Sequence, residues 1–202
     1  MKSKIIVAFG GSFNPPTNAH FSIAEQILSE YEQVEKVLFI PVSDHYEKRG
    51  LLPAKHRVAM LKTVTDKNEK FDVCTIETDA DHALKTVETL TLLQDEYPDH
   101  VIWFVQGTDN LKQLSTWSGR DELLKRFKVL VIARDDDDVD MIVEDDPFLS
   151  QYKDCILPVS ESIRSNCSST FIRKKLAKGK SIRYTTPDEI FFYINEHQLY
   201  SK

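Results

Sequence analysis

Residues Ile5-Ile6-Val7-Ala8-Phe9 form an unbroken apolar run, and Gly10-Gly11-Ser12-Phe13-Asn14-Pro15-Pro16-Thr17-Asn18-Ala19-His20 follows with no spacer. A buried strand that opens into a glycine pair, turns through two prolines and enters a helix leaves backbone N–H groups unpaired and aimed at one spot. That is an anion site in outline. Gly10 and Gly11 let a ligand approach the backbone without a Cβ in the way, and Pro15-Pro16 stiffen the loop before a helix expected to start near Thr17 or Asn18. His20 then falls in the first turn, beside any bound phosphate. The glycine pair alone would mark only a turn. The spacing lacks the third glycine of a dinucleotide fingerprint and the Lys-Ser/Thr of a P-loop.

Apolar runs recur along the chain at Ile5 to Phe9, Lys36 to Val42, Phe71 to Ile76, Val101 to Gln106, Lys128 to Ala133 and Cys155 to Val159. Runs of this length, apolar throughout, read as strands buried on both faces of a parallel sheet. Between them, Phe21, Ile23, Ala24, Ile27, Leu28 and Tyr31, then Val58, Ala59, Leu61 and Val64, then Val87, Leu90 and Leu93 recur with helical spacing. The alternation predicts an α/β fold, a Rossmann-like doubly wound parallel sheet, with a small C-terminal helical part. In such a sheet ligands lie beyond the carboxyl ends of the strands, where the 10–20 loop falls.

A chain of 202 residues with 41% hydrophobic content suits one domain with a real core. No apolar run approaches the about 18 residues of a membrane span, and the start does not read as a signal peptide, so no membrane association and a cytoplasmic location are expected. Cys74, Cys155 and Cys167 stand in no metal-ligand spacing, and an odd number of thiols suits a reducing compartment. A formal net charge of −6 argues against a nucleic-acid partner, whose phosphates call for broad basic charge. A small anionic ligand needs only a local basic pocket.

Near the C-terminus, Ser168-Ser169-Thr170 precedes Phe171-Ile172-Arg173-Lys174-Lys175-Leu176-Ala177-Lys178, and Gly179 follows. One Ser or Thr would suffice as an N-cap, with Gly179 at C′ and lysines facing the negative end of the dipole. Three hydroxyl residues followed by Arg173 also offer hydroxyls, N–H groups and a guanidinium to phosphate oxygens. The acidic run Arg134-Asp135-Asp136-Asp137-Asp138-Val139-Asp140 reads as a solvated loop rather than a Mg²⁺ site. No metal-ligating residues are assigned, and no spacing suggests a covalent nucleophile.

The order Gly-Ser-Phe-x-Pro-x-Thr-x-x-His resembles the (His/Thr)-x-x-His signature of nucleotidyltransferases, and Ser168-Ser169-Thr170-Phe171-Ile172-Arg173 resembles their Ser-Ser-Thr-x-Ile-Arg motif. Gly107-Thr108-Asp109-Asn110-Leu111, Trp117 and the ending Tyr184-Thr185-Thr186-Pro187 extend the likeness, over nearly the whole length, to the nicotinate/nicotinamide mononucleotide adenylyltransferase family. Thr17-Asn18-x-His20 and the stretch from Pro41 to Leu51 with His56-Arg57-Val58 look more like its eukaryotic members. The Gly107 segment and the ending look more like the bacterial ones.

The resemblance implies one nucleotidyltransferase domain over 1–202, with 160–202 a C-terminal helical subregion, joining AMP from ATP to a pyridine mononucleotide with release of pyrophosphate in NAD biosynthesis. It implies Mg²⁺ as the companion of ATP. His20 and Arg173 would be catalytic. Gly10, Gly11, Ser12, Phe13, Thr17, Gly107, Asp109, Ser168, Ser169 and Thr170 would complete the ATP site, and Lys48, Thr86 and Trp117 would bind the acceptor. Read without the resemblance, Trp117 equally suits a core aromatic, and Lys48 in its charged loop suits a solvated lysine. Family members carry a ring-stacking aromatic before the Thr-Leu of the helix after the third strand, whereas Ala83-Leu84-Lys85-Thr86-Val87-Glu88-Thr89-Leu90 has none. Another phosphorylated acceptor and a non-catalytic nucleotide sensor therefore stay open, as do acid against amide and a homo-oligomer.

Overall fold

The computed structural model describes residues 4–134, 136–159 and 167–200. Six strands, β1 (Lys4–Gly11), β2 (Val34–Pro41), β3 (Phe71–Val73), β4 (His100–Gly107), β5 (Lys128–Ile132) and β6 (Ile156–Pro158), form one sheet in the order β3-β2-β1-β4-β5-β6. Every pairing is parallel. The order turns back between β1 and β4, and the crevice outside their carboxyl ends is the switch point of a doubly wound sheet.

Helices α1 (Asn18–Glu30) and α2 (Ala54–Thr65) cover one face, where Ala24, Ile27, Leu28 and Leu61 pack on Val7, Phe9, Val37 and Phe39. The other face carries α3 (Thr86–Glu96), α4 (Thr108–Leu114), α5 (Arg120–Arg126) and α6 (Val139–Asp145). There Leu90, Leu93, Leu111, Leu124 and Val143 close over Ile6, Ala8, Ile102 and Phe104. Alternate residues of each strand thus feed two cores, which is why the strands read as continuous apolar runs.

The run Phe71 to Ile76 is a strand only as far as Val73; beyond it Cys74 and Ile76 pack against the α3 side from a turn. The run at Cys155 splits between the 3₁₀ helix Leu149–Cys155 and β6. In the acidic stretch, Asp135 lies outside the described residues. Asp138 caps α6 by accepting from Asp140 N and Met141 N, and Asp137 pairs with Lys112.

The C-terminal part is helical: α7 (Ser169–Leu176) and α8 (Asp188–Glu196) share a third small core with α2 through Met60, Ile172, Ile182, Ile190 and Ile194. Residues 160–166 of the expected helical subregion lie outside the described residues. Ser168 caps α7 by accepting from Phe171 N. Its end is a Schellman motif: Lys180 N donates to Lys175 O, Gly179 N donates to Leu176 O, and Gly179 has φ +62°.

One α2 side chain ties this frame to the loop after β1. Arg57 is fully buried and donates from Nε to Leu52 O at 2.7 Å, from Nη1 to Ser12 O at 3.3 Å and from Nη2 to Asp44 Oδ1 at 2.8 Å. Asp44 also accepts from Ala54 N, the first residue of α2. Arg57→Met would leave two carbonyls without their donor, and we expect a loss of about 2–4 kcal/mol, read as a lower denaturant midpoint at unchanged slope. An unchanged midpoint would show that Arg57 does not hold the frame.

Candidate active site

β1 delivers its carboxyl end to the switch point, and the chain leaves it through Gly10, Gly11, Ser12 and a buried Phe13 with φ +43°. Phe13 packs edge-on against Phe9, Phe39 and the His20 ring. Pro15 and Pro16 supply no N–H, so the loop offers carbonyls and few donors of its own. Those carbonyls are met from the far end of the chain. Arg173 Nη1 donates to Asn14 O at 2.7 Å, Ser169 Oγ to Pro15 O at 2.7 Å, and Thr186 Oγ1 to Pro16 O at 2.9 Å. The Asn14 side chain, 1% exposed, donates to Gly50 O and accepts from Leu52 N and Tyr200 Oη.

Thr17 is the N-cap of α1, and its N–H donates to His20 Nδ1 at 2.9 Å, with the Thr17 hydroxyl also 2.9 Å from that nitrogen. An Nδ1 that accepts an N–H carries no proton, so the ring proton sits on Nε2 as a free donor. Burial, joined by the Arg134 guanidinium, lowers the His20 pKa to about 4. At neutral pH His20 is an uncharged imidazole with one oriented N–H.

Cations gather round the loop although the chain is acidic. Lys48 Nζ donates to Ser12 Oγ at 3.0 Å, and burial together with the charges of Arg173 and Arg57 holds its ammonium below the usual lysine range. Arg173 reaches Thr170 Oγ1 through Nη2 as well as Asn14 O, and among the described residues no partner takes its other N–H groups, which can serve phosphate oxygens. Like charges crowded together in this way favour an anion with several negative oxygens between them.

Across the switch point, Gly107 ends β4 and caps α4. A Cβ on Gly107 would come within 2.5 Å of Asp109 Oδ1 and 2.6 Å of Arg134 Nε, so a side chain there would push aside the Arg134–Asp109 ion pair, now at 3.3 Å. Arg134 N also donates to the buried Thr108 hydroxyl. The proposed acceptor residues fall into two places. Lys48 stands at the phosphate loop, whereas Thr86 opens α3 and Trp117 lies half-buried against the α3–α6 core. Val87 of α3 and Gly119, beyond Trp117, approach so closely that a Cβ on Gly119 would come within 2.7 Å of Val87 Cγ1. On the same side Glu77 accepts from the Thr89 hydroxyl, and burial lifts its carboxyl to about 7.

Arg57, Asn14, Thr186, Tyr200 and Arg134 escaped sequence reading as site residues. Asn14 carried the one available signal, an amide just before two prolines, where only its side chain and carbonyl can bond onward. Arg134 was masked by the acidic run behind it.

The sequence model of the cytidylyltransferase-like family matches residues 8–175. A probable nicotinate-nucleotide adenylyltransferase of Salinibacter ruber is 34% identical over 95% of this chain and 95% of its own. Another from Bacillus licheniformis is 30% identical over 95% of this chain and 96% of its own. In fold, the chain is similar to a Plasmodium falciparum nicotinic acid mononucleotide adenylyltransferase complexed with NaAD, with a TM-score of 0.78 at 19% identity over 98% of this chain and 97% of that one.

Because His20 loses its proton at about 4 in the folded chain against about 6.5 unfolded, the unfolded state takes up the proton first as pH falls. This group's contribution therefore weakens the fold between those two values, and His20→Gln should remove that part of the pH dependence. An NMR titration should place the ligand-free His20 midpoint near pH 4, and bound triphosphate should raise it. A midpoint near 6.5 without ligand would contradict the geometry.

Proposed function

Since the chain belongs to the nicotinate-nucleotide adenylyltransferase family, within the cytidylyltransferase-like group, we propose that it joins AMP from ATP to nicotinate or nicotinamide mononucleotide and releases pyrophosphate, a step of NAD biosynthesis. The carrying observation is the uncharged His20 Nε2–H set at the start of α1 beside the Arg134 guanidinium, with Lys48 and Arg173 bonded to the loop that leads into it. An oxygen of the mononucleotide phosphate attacks the α-phosphorus in line; the new O–P bond forms as the bond to the β-phosphate oxygen breaks. No covalent enzyme intermediate is needed. Both reactants are anions, so the rate comes from holding them together and meeting the charge that spreads over the phosphoryl oxygens.

In this reading His20 donates to the ATP phosphates, aided by the N–H groups from Gly10 to Phe13. Ser168, Ser169 and Thr170 place the start of α7 and Arg173 at the triphosphate, with Ser169 and Arg173 also fixing the loop that binds it. Thr17 orients His20. Gly107 and Asp109 take the adenosine side, where Arg134 joins them. Lys48 faces the mononucleotide phosphate, and Thr86 and Trp117 flank its ring.

The donor set at the loop is hydroxyls, N–H groups and cations, which suits a triphosphate that brings its own Mg²⁺. Among the described residues no group of three or more His, Cys, Asp or Glu is placed to hold a metal. Bound Mg²⁺ would neutralise part of the triphosphate charge. Among the described residues no helix is long and apolar enough to cross a membrane. The reading includes a cytoplasmic location, a single domain over 1–202, no nucleic-acid partner and an open choice of oligomeric state.

Pyrophosphate release by purified protein with ATP and Mg²⁺ tests the reading, given either mononucleotide beside a no-acceptor control. Release is expected to depend on the mononucleotide, and His20→Ala should lower turnover about 100- to 1000-fold with an unchanged fold. No release with either acceptor, despite ATP binding, would point to another phosphorylated acceptor or to a nucleotide sensor. Unchanged turnover in His20→Ala would remove His20 from the chemistry.

A further inference from the structure

Gln106 stands one residue before the end of β4 and is 4% exposed. Among the described residues neither its Nε2 nor its Oε1 has a hydrogen-bond partner. A buried amide with both ends unbonded is costly, and native structures answer nearly all such groups with protein, water or ligand. Strand alternation fixes its side. Ile102 and Phe104 belong to the α3–α6 core, as does Val131, its partner on β5.

The β1–β4 register ends at Phe9–Val105, and Gly10 and Gln106 are the next residue on each strand beyond that last pair. A Cβ built on Gly10 would touch only Phe104 Cε2, at an ordinary 3.6 Å, so glycine leaves free a space that a side chain could fill. That space lies at the carboxyl end of β1, at the switch point. The phosphate loop leaves β1 toward α1, on the opposite face. Once a triphosphate lies along that loop, the α3 side of the crevice is left for the second substrate.

A primary amide offers two N–H donors and one acceptor. A carboxylate matches the donors alone and would set negative charge against Oε1, whereas a carboxamide matches both ends through a pair of N–H···O bonds. We propose that Gln106 is a specificity-determining residue that hydrogen-bonds the carboxamide of an amide-form pyridine mononucleotide, so that this chain uses the amide form alongside the acid form. The inference rests on the adenylyltransferase reading given above and assigns its acceptor.

The test compares kcat/KM for nicotinamide and nicotinate mononucleotide in wild type, Gln106→Leu and Gln106→Met, the second keeping the unbranched length should the first misfold. The expected result is a shift of about tenfold in the ratio toward the acid form, the size of one lost hydrogen-bonded pair. The ligand-free variants should melt no lower than wild type, since they lose an unbonded buried amide. An unchanged ratio overturns the proposal, and a rise confined to the KM for ATP would assign the amide to the adenine edge instead. Lower Tm in both variants would show the amide bonded within the fold and also overturn it.

If wild type turns over neither acceptor, the adenylyltransferase reading fails by itself. Calorimetric titration of both mononucleotides into wild type and Gln106→Met then decides the inference: loss of amide-form binding in the variant supports it, and equal binding overturns it.

Discussion

Two successive prolines leave the loop after β1 rich in carbonyls and poor in donors, and those carbonyls have to be met by something. Asn14 O, Pro15 O and Pro16 O take their hydrogen bonds from Arg173, Ser169 and Thr186, all at the other end of the chain. The loop cannot bond itself into shape. Its form depends on α7 and the segment before α8 being docked, and their docking depends on Ile172, Ile182, Ile190 and Ile194 burying against Met60 of α2. Arg57, three residues before Met60, closes the circuit by reaching back to Ser12 O. The form of this loop is thus a product of tertiary packing, although its backbone belongs to a single short stretch.

Charge follows the same layout. A chain with a formal net charge of −6 sets Lys48, Arg57 and Arg173 near one another around the loop that leads to a neutral His20. In the ligand-free chain that crowding is unfavourable, and it is relieved by an anion. Asp44 neutralises Arg57 and Asp109 pairs with Arg134, so among the described residues the least compensated charge falls on Lys48 and Arg173, which border the loop. A protein that must hold two anions against their repulsion gains from cations kept apart from their own carboxylates.

Sequence carried the parts of this arrangement that depend on local pattern. The apolar runs gave the strands because both faces of the sheet are covered, and Phe71 to Ile76 misled only in length, since Cys74 and Ile76 are half-buried without being in a strand. Gly10 to His20 and Ser168 to Arg173 stood out as motifs, because glycine, hydroxyl and arginine each have few reasons to stand in that order. The motif did not show that Ser169 and Arg173 spend hydrogen bonds on the loop itself. Arg57, Thr186 and Tyr200 were invisible for a related reason: each acts on an atom far away in sequence, and nothing in its neighbours marks the contact. Arg134 looked like part of a solvated charge run, and only the β5–β4 pairing brings it beside Gly107 and Asp109.

The bond from Tyr200 to Asn14 spans 186 residues, and those to Pro16 and Pro15 span 170 and 154. Chains are made from the N-terminus onward, and a growing chain can fold its early strands and helices while the rest is still being added. β1, its glycines and α1 emerge well before the donors that shape the loop between them, which follow 154 to 186 residues later. The loop therefore waits on residues made long after its own, and takes its bonded form only once Ser169, Arg173, Thr186 and Tyr200 have been added.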